Sequence, residues 1–106
     1  MKVLDLVLMY RWYDMIASGI KKEEYREIKP YWIKRFTGFD TLLFSYRNGY
    51  EKINRFGYTH VRFHRAYTNT TMLLKLDDIV IGRGNTDWGA PEDKDVFILK
   101  LSEYEG

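Results

Sequence analysis

The chain has no cysteine, so disulfides and thiolate metal sites are excluded. A cysteine-free chain also fits a reducing compartment, and a cytoplasmic protein is expected. Long apolar runs are missing too. The N-terminal run of Val and Leu is broken by Asp5 and stopped by Arg11, too short and too charged for a signal peptide or a membrane span. A soluble protein with no membrane partner is therefore expected. There is no internal repeat and no linker, and 106 residues suit one domain, residues 1–106. Histidine is scarce. His60 and His64 lie four apart, ligand spacing on a helix, but their segment alternates like a strand and sets Arg62 between them. Neither a metal nor a cofactor is expected.

Aromatics are abundant: nine Tyr, six Phe and three Trp. A hydrophobic fraction of 45% excludes wholesale disorder. The aromatics exceed what one small core needs, so some should line a surface or cleft, with the polar edges of Tyr and Trp kept wet. Charge is uneven. Residues 1–70 carry 13 basic and 7 acidic side chains, whereas residues 71–106 carry 4 and 8. A basic half of this kind suits a phosphate-bearing partner, although charges also decorate any small domain.

The periodicity predicts a strand over Val3 to Met9, then a two-turn helix over Tyr10 to Ser18 ended by a left-handed Gly19. A charged strand follows over Lys21 to Ile28. Pro30 suits the first turn of a second helix, with Tyr31, Trp32, Ile33 and Phe36 on its apolar side and Lys34 and Arg35 on a basic one. Thr41 to Tyr46 reads as a strand with Leu42, Leu43 and Phe44 as its core, and Asn48-Gly49 as a turn. Glu51 to Tyr58 is a hairpin arm or a loop. Thr59 to Tyr67 is an alternating strand, with His60, Arg62, His64 and Ala66 on one side. Thr71 to Ile81 is two strands, or one bent at Asp77-Asp78. Residues 82–91 have loop chemistry, and Asp95 to Leu101 is the last strand. The expected class is α+β, with two or three short helices on a curved or closed sheet.

Ser18-Gly19-Ile20-Lys21-Lys22-Glu23-Glu24-Tyr25-Arg26-Glu27-Ile28 stands apart, holding six charges in eleven residues. As a strand it sets Lys22, Glu24 and Arg26 on one face, with Lys21, Glu23, Tyr25 and Glu27 on the other. Neither face is hydrophobic, so core packing alone explains it poorly. Lys21 is a flexible donor suited to a phosphate or carbonyl oxygen. Arg26 offers a planar fork for phosphate, carboxylate or a base edge. Glu24 can hold that fork or accept a proton. The plainer alternative is a solvated charge ladder, worth little to stability.

The spacing Gly19-x-Lys21-x-x-Glu24-x-Arg26 resembles the G-x-K-x-x-E-x-R signature of the ASCH domain, a branch of the PUA-like superfamily. Gly82-x-Gly84, Trp88-Gly89 and the terminal apolar strand are similar to features of its small members. The resemblance implies a small PUA-like β-barrel with helices around it and a cleft beside the Gly-x-Lys turn. It also implies binding of RNA or a nucleotide. Some small members look like amidohydrolases of acylated cytidine nucleosides, and nuclease activity has been suggested for others. In the amidohydrolase-like members a Thr stands where this chain has Glu24, so this chain keeps Lys21 but departs from that pattern in having no hydroxyl at 24. The implied ligand-binding set is Gly19, Lys21, Lys22, Glu24, Arg26 and Trp88. If the protein is an enzyme, Lys21 supplies charge or acts as base and Glu24 carries the proton.

Trp88 in its Gly-rich loop either stacks on a base, worth roughly 1–3 kcal/mol, or plugs one end of the barrel. Gly82-x-Gly84 lacks the following Lys-Ser/Thr and helix of a phosphate loop. His60, Arg62 and His64 form a basic rim suited to a phosphate backbone, or an ordinary solvated strand face. Beside Lys34 and Arg35, Trp32 and Phe36 read as core and Tyr31 is open to either role. A protein-interaction module using exposed Tyr and Trp is the remaining reading.

Overall fold

A computed structural model describes residues 1–102. Five strands form one curled, half-barrel sheet, accompanied by three helices. Strand β1 (Val3–Leu8) alternates cleanly, burying Leu4, Leu6 and Leu8 and turning Asp5 and Val7 outward. Helix α1 (Tyr10–Ala17) follows and stops where Gly19 takes φ +84°, a left-handed turn that returns the chain toward the sheet. Strand β2 (Glu23–Arg26) is short. Helix α2 (Pro30–Thr37) begins on Pro30 at its first turn and ends at a left-handed Gly38.

Strand β3 (His60–Arg65) runs parallel to β1 and antiparallel to β4 (Thr71–Gly82). Strand β5 (Val96–Leu101) pairs antiparallel with both β4 and β2, giving the order β1-β3-β4-β5-β2. The 12-residue β4 is one strand, with a register shift between Leu76 and Asp78. Its first part pairs with β3 and its second with β5, so the irregularity at Asp77-Asp78 lets one strand serve both arms of the sheet. The core gathers Leu4, Leu6, Val61, Phe63, Leu74, Phe97 and Leu99 from the sheet. Helix α1 adds Tyr13 and Ile16, and α2 adds Ile33 and Phe36. The Phe36 ring meets Phe97 edge-on at 5.1 Å and stacks with Trp32 at 5.6 Å.

The sequence reading fails at Thr41 to Tyr46. A short helix, α3 (Phe44–Arg47), stands there, with Leu43 exposed and Phe44 76% exposed. Tyr46 is the residue that reaches the core, and Leu42 packs against it in part. Three apolar residues in a row carry no period, so they do not separate strand from helix. Beyond α3 the chain is loop, clamped by the buried Asn54, whose side chain donates to Tyr58 O and accepts from Tyr58 N. Ala66 also departs from expectation. It leaves the strand at φ +49° and is buried rather than sharing the outer face of His60, Arg62 and His64.

This packing sets a direct comparison. Phe36→Ala should lower unfolding stability by about 3–5 kcal/mol, and Phe44→Ala by less than about 0.5 kcal/mol. Urea denaturation measures both. Equal losses would restore the strand reading of residues 41–46.

Candidate functional site

In β2, Glu24 sits opposite Leu99 and Arg26 opposite Phe97, two residues with no exposed surface. Glu24 and Arg26 therefore share the face turned to the main core. Glu23 and Tyr25 share the other, where Tyr25 packs with Ala90, Val96 and Ile98. Tyr25 Oη donates to Glu23 Oε1 at 2.8 Å and accepts from Asn85 N at 3.0 Å. Burial pushes the Tyr25 phenol well above its ordinary pKa. The strand read as hydrophobic on neither face is thus buried on both, one face against rings and the other through paired charge.

Lys21 precedes β2, free of its alternation. After the Gly19 turn, the backbone N–H groups of Ile20 and Lys21 both donate to Met15 O at 3.0 Å, folding the segment back on the end of α1. The Lys21 side chain then runs inward. Its Nζ lies 3.2 Å from Glu24 Oε1 and donates to Trp88 O. The Tyr25 and Trp12 rings lie 4.6 and 5.2 Å away. Glu24 Oε2 lies 2.9 Å from Arg26 Nη1, which also donates to Tyr25 O. Arg26 Nη2 donates to Val7 O at 3.3 Å.

Cation, anion and cation thus form one chain through the interior. The Lys21 side chain is 0% exposed and that of Glu24 6%, against 18% for Arg26. Burial pushes the Lys21 ammonium below the usual lysine range, and the Glu24 carboxylate opposes that shift. Lys21 is not the freely reaching donor expected from its sequence. Its contacts hold Glu24, which in turn holds Arg26.

Arg26 is the end of the chain that comes to the surface. It opens on a groove of about 430 Å³ lined by Asp5, Val7, Tyr31, Trp32 and Arg35. The guanidiniums of Arg26 and Arg35 both lie over the Trp32 ring, at 5.1 and 5.5 Å. Arg35 Nη2 donates to Asp5 O at 2.9 Å. Arg26 Nε is buried and has no hydrogen-bond partner among the described residues. Arg26 also lines a second hollow, of about 370 Å³, with Glu27, Gly89, Pro91 and Lys94.

The rest of the expected set is dispersed. Lys22 is exposed, and its carbonyl accepts from Leu101 N. Gly19 contributes a turn. Trp88 contributes its carbonyl to Lys21, while its half-buried ring packs beside Tyr25 and Ala90. Sequence reasoning did not assign Trp12, Arg35 or Asp5 to the site. Trp12 lies under both Lys21 and Gly89, where an added Cβ would come within 3.0 Å of its ring. Comparison with protein-family models, with curated proteins and with solved structures returned no match. No helix among the described residues is long and apolar enough to cross a membrane.

Removing one member of a buried ion pair leaves the other under-compensated, and Glu24 without Lys21 would keep only the partly exposed Arg26. Lys21→Met should therefore destabilise the protein by about 3–5 kcal/mol, while Lys22→Ala changes stability by less than about 0.5 kcal/mol. Adding Glu24→Gln to Lys21→Met should recover part of the loss, giving a coupling of at least about 1 kcal/mol in a double-mutant cycle. Additive losses would show that the two charges do not depend on one another.

Proposed function

We propose that the protein binds RNA or a nucleotide, with a phosphate received at the groove where Arg26 surfaces beside Arg35. The observation that carries this reading is the end of the buried charge chain. Glu24 fixes one edge of the Arg26 guanidinium, and the indole of Trp32 supports it from below together with Arg35. A guanidinium held this way loses little freedom when it meets a phosphate, and the Nη2 N–H that Arg26 keeps beyond its bond to Val7 O stands beside the Arg35 fork in one groove, which favours an anion. The exposed Tyr31 ring stands at the rim, with its hydroxyl 3.5 Å from Arg35 Nη1. A base stacked on such a ring is held by roughly 1–3 kcal/mol. The positive surplus of residues 1–70 adds long-range attraction for a phosphate backbone.

The similarity of Gly19-x-Lys21-x-x-Glu24-x-Arg26 to the ASCH signature, and the PUA-like barrel it implies, support the same reading. In it Lys21 and Glu24 position Arg26 and do not touch the ligand. A hydrolase mechanism would instead require them to reach a substrate, and both are buried.

Arg35→Gln and Tyr31→Ala alter partly or fully exposed side chains, so both should fold. Each should weaken binding of a short RNA by about 5-fold or more, the Arg35 variant also lowering the salt dependence. Fluorescence titration against salt measures this. Unchanged affinity and slope in both variants would remove the proposal.

A further inference from the structure

The outer face of β1 carries a second cationic station. In the parallel register Asp5 sits beside Arg62 and Val7 beside His64. The Asp5 carboxylate accepts from His64 Nε2 at 2.8 Å and from Arg62 Nη1 at 3.4 Å. Asp5 is thus shared. Its backbone carbonyl holds Arg35 and its side chain holds Arg62 and His64. Beyond it lies a hollow of about 310 Å³ lined by Asp5, Val7, His64, Tyr67 and Thr68. Asp5 and Val7 line this hollow and the Arg26 groove alike, so the two hollows meet across β1. Tyr67 is 92% exposed at the far end, as Tyr31 is exposed at the near end.

Building on the function proposed above, we infer that the ligand is a single-stranded oligonucleotide laid across β1. One phosphate sits at Arg26 and Arg35, another at Arg62 and His64, and bases reach Tyr31 and Tyr67 at the two ends. A mononucleotide carries one phosphate and one base, so it fills one station and leaves the other empty. A duplex keeps its base faces stacked inside, where neither tyrosine meets them. Asp5 is the carboxylate in the track, and it occupies the donors of Arg62 and His64. The hydrogen bond from His64 and the charge of Arg62 hold its pKa below the usual carboxylate range. It therefore competes with an incoming phosphate for the same two side chains.

The test uses the whole chain and a fluorescein-labelled eight-nucleotide single-stranded RNA, with the same sequence as DNA and as a duplex, and unlabelled uridine monophosphate as competitor. Arg62→Gln and Tyr67→Ala should each weaken octamer binding by about 5-fold or more while changing the inhibition constant of the monophosphate, which the Arg26 groove still takes, by less than about 2-fold. Asp5→Asn should tighten octamer binding severalfold. Equal effects with RNA and DNA would assign recognition to phosphate and base stacking, whereas an RNA-restricted effect would add the 2′-hydroxyl to the same track. If Arg35→Gln weakens the octamer while Arg62→Gln, Tyr67→Ala and Asp5→Asn bind as wild type, the second station is overturned and the first groove survives. If the duplex binds more tightly than the strand, the single-strand assignment is overturned. If no variant changes affinity, both readings fall together.

Discussion

An ammonium group shut away from water needs an anion, and Lys21 has Glu24. That pairing organises the surroundings of β2. Without it, burying either charge would cost several kcal/mol. Glu24 is bidentate in effect, with one oxygen toward Lys21 and the other toward Arg26. Through these three side chains five parts of the fold are tied together. The turn after α1 supplies Lys21, β2 supplies Glu24 and Arg26, and the loop before β5 supplies the Trp88 carbonyl. Strand β1 supplies the Val7 carbonyl and α2 supplies the Trp32 ring. Such a network serves less as a source of net stability than as a means of fixing where its exposed end lies.

That end lies at the seam of the sheet. Strands β1 and β2 are its two edges, with no backbone pairing between them. An edge strand leaves carbonyl groups unpaired. Here the Val7 and Asp5 carbonyls accept from Arg26 and Arg35, so two guanidiniums stand where another strand would close the barrel. The seam therefore joins a structural need, satisfied carbonyls, to two planar cations over one indole. The function proposed for the groove follows from that coincidence. The proposed oligonucleotide track would extend it across the outward side chains of β1 and β3.

Much of the fold was legible because local rules agreed. Gly19 ended a helix as its position implied, Pro30 opened one, and the alternation over residues 59–67 set His60, Arg62 and His64 together on one face of β3. The interruption at Asp77-Asp78 marked a real irregularity. Residues 41–46 misled because Leu42-Leu43-Phe44 has no period, and the choice fell to Tyr46 finding the core. Around the site, the charged stretch was conspicuous but its burial was not. Alternation treats a lysine as a surface residue, and nothing local reveals that a carboxylate three positions on will follow it inside. Arg35 was seen as a basic helix residue, not as a neighbour of Arg26. Its partner is a backbone carbonyl on β1, and carbonyls leave no mark in a sequence. The same holds for Trp88, whose carbonyl matters to Lys21 more than its ring does.

The buried Lys21–Glu24 contact is open to direct observation by nitrogen-15 NMR of the lysine side chains. Of the nine lysines, one ammonium should show slowly exchanging protons and titrate below the ordinary value of 10.5, since burial disfavours its charged form. Glu24→Gln should move that titration further down, because the carboxylate is what opposes the effect of burial on Lys21. Nine ammonium groups exchanging rapidly and titrating together would contradict the account, because Lys21 would then be in water and Arg26 would have lost its anchor.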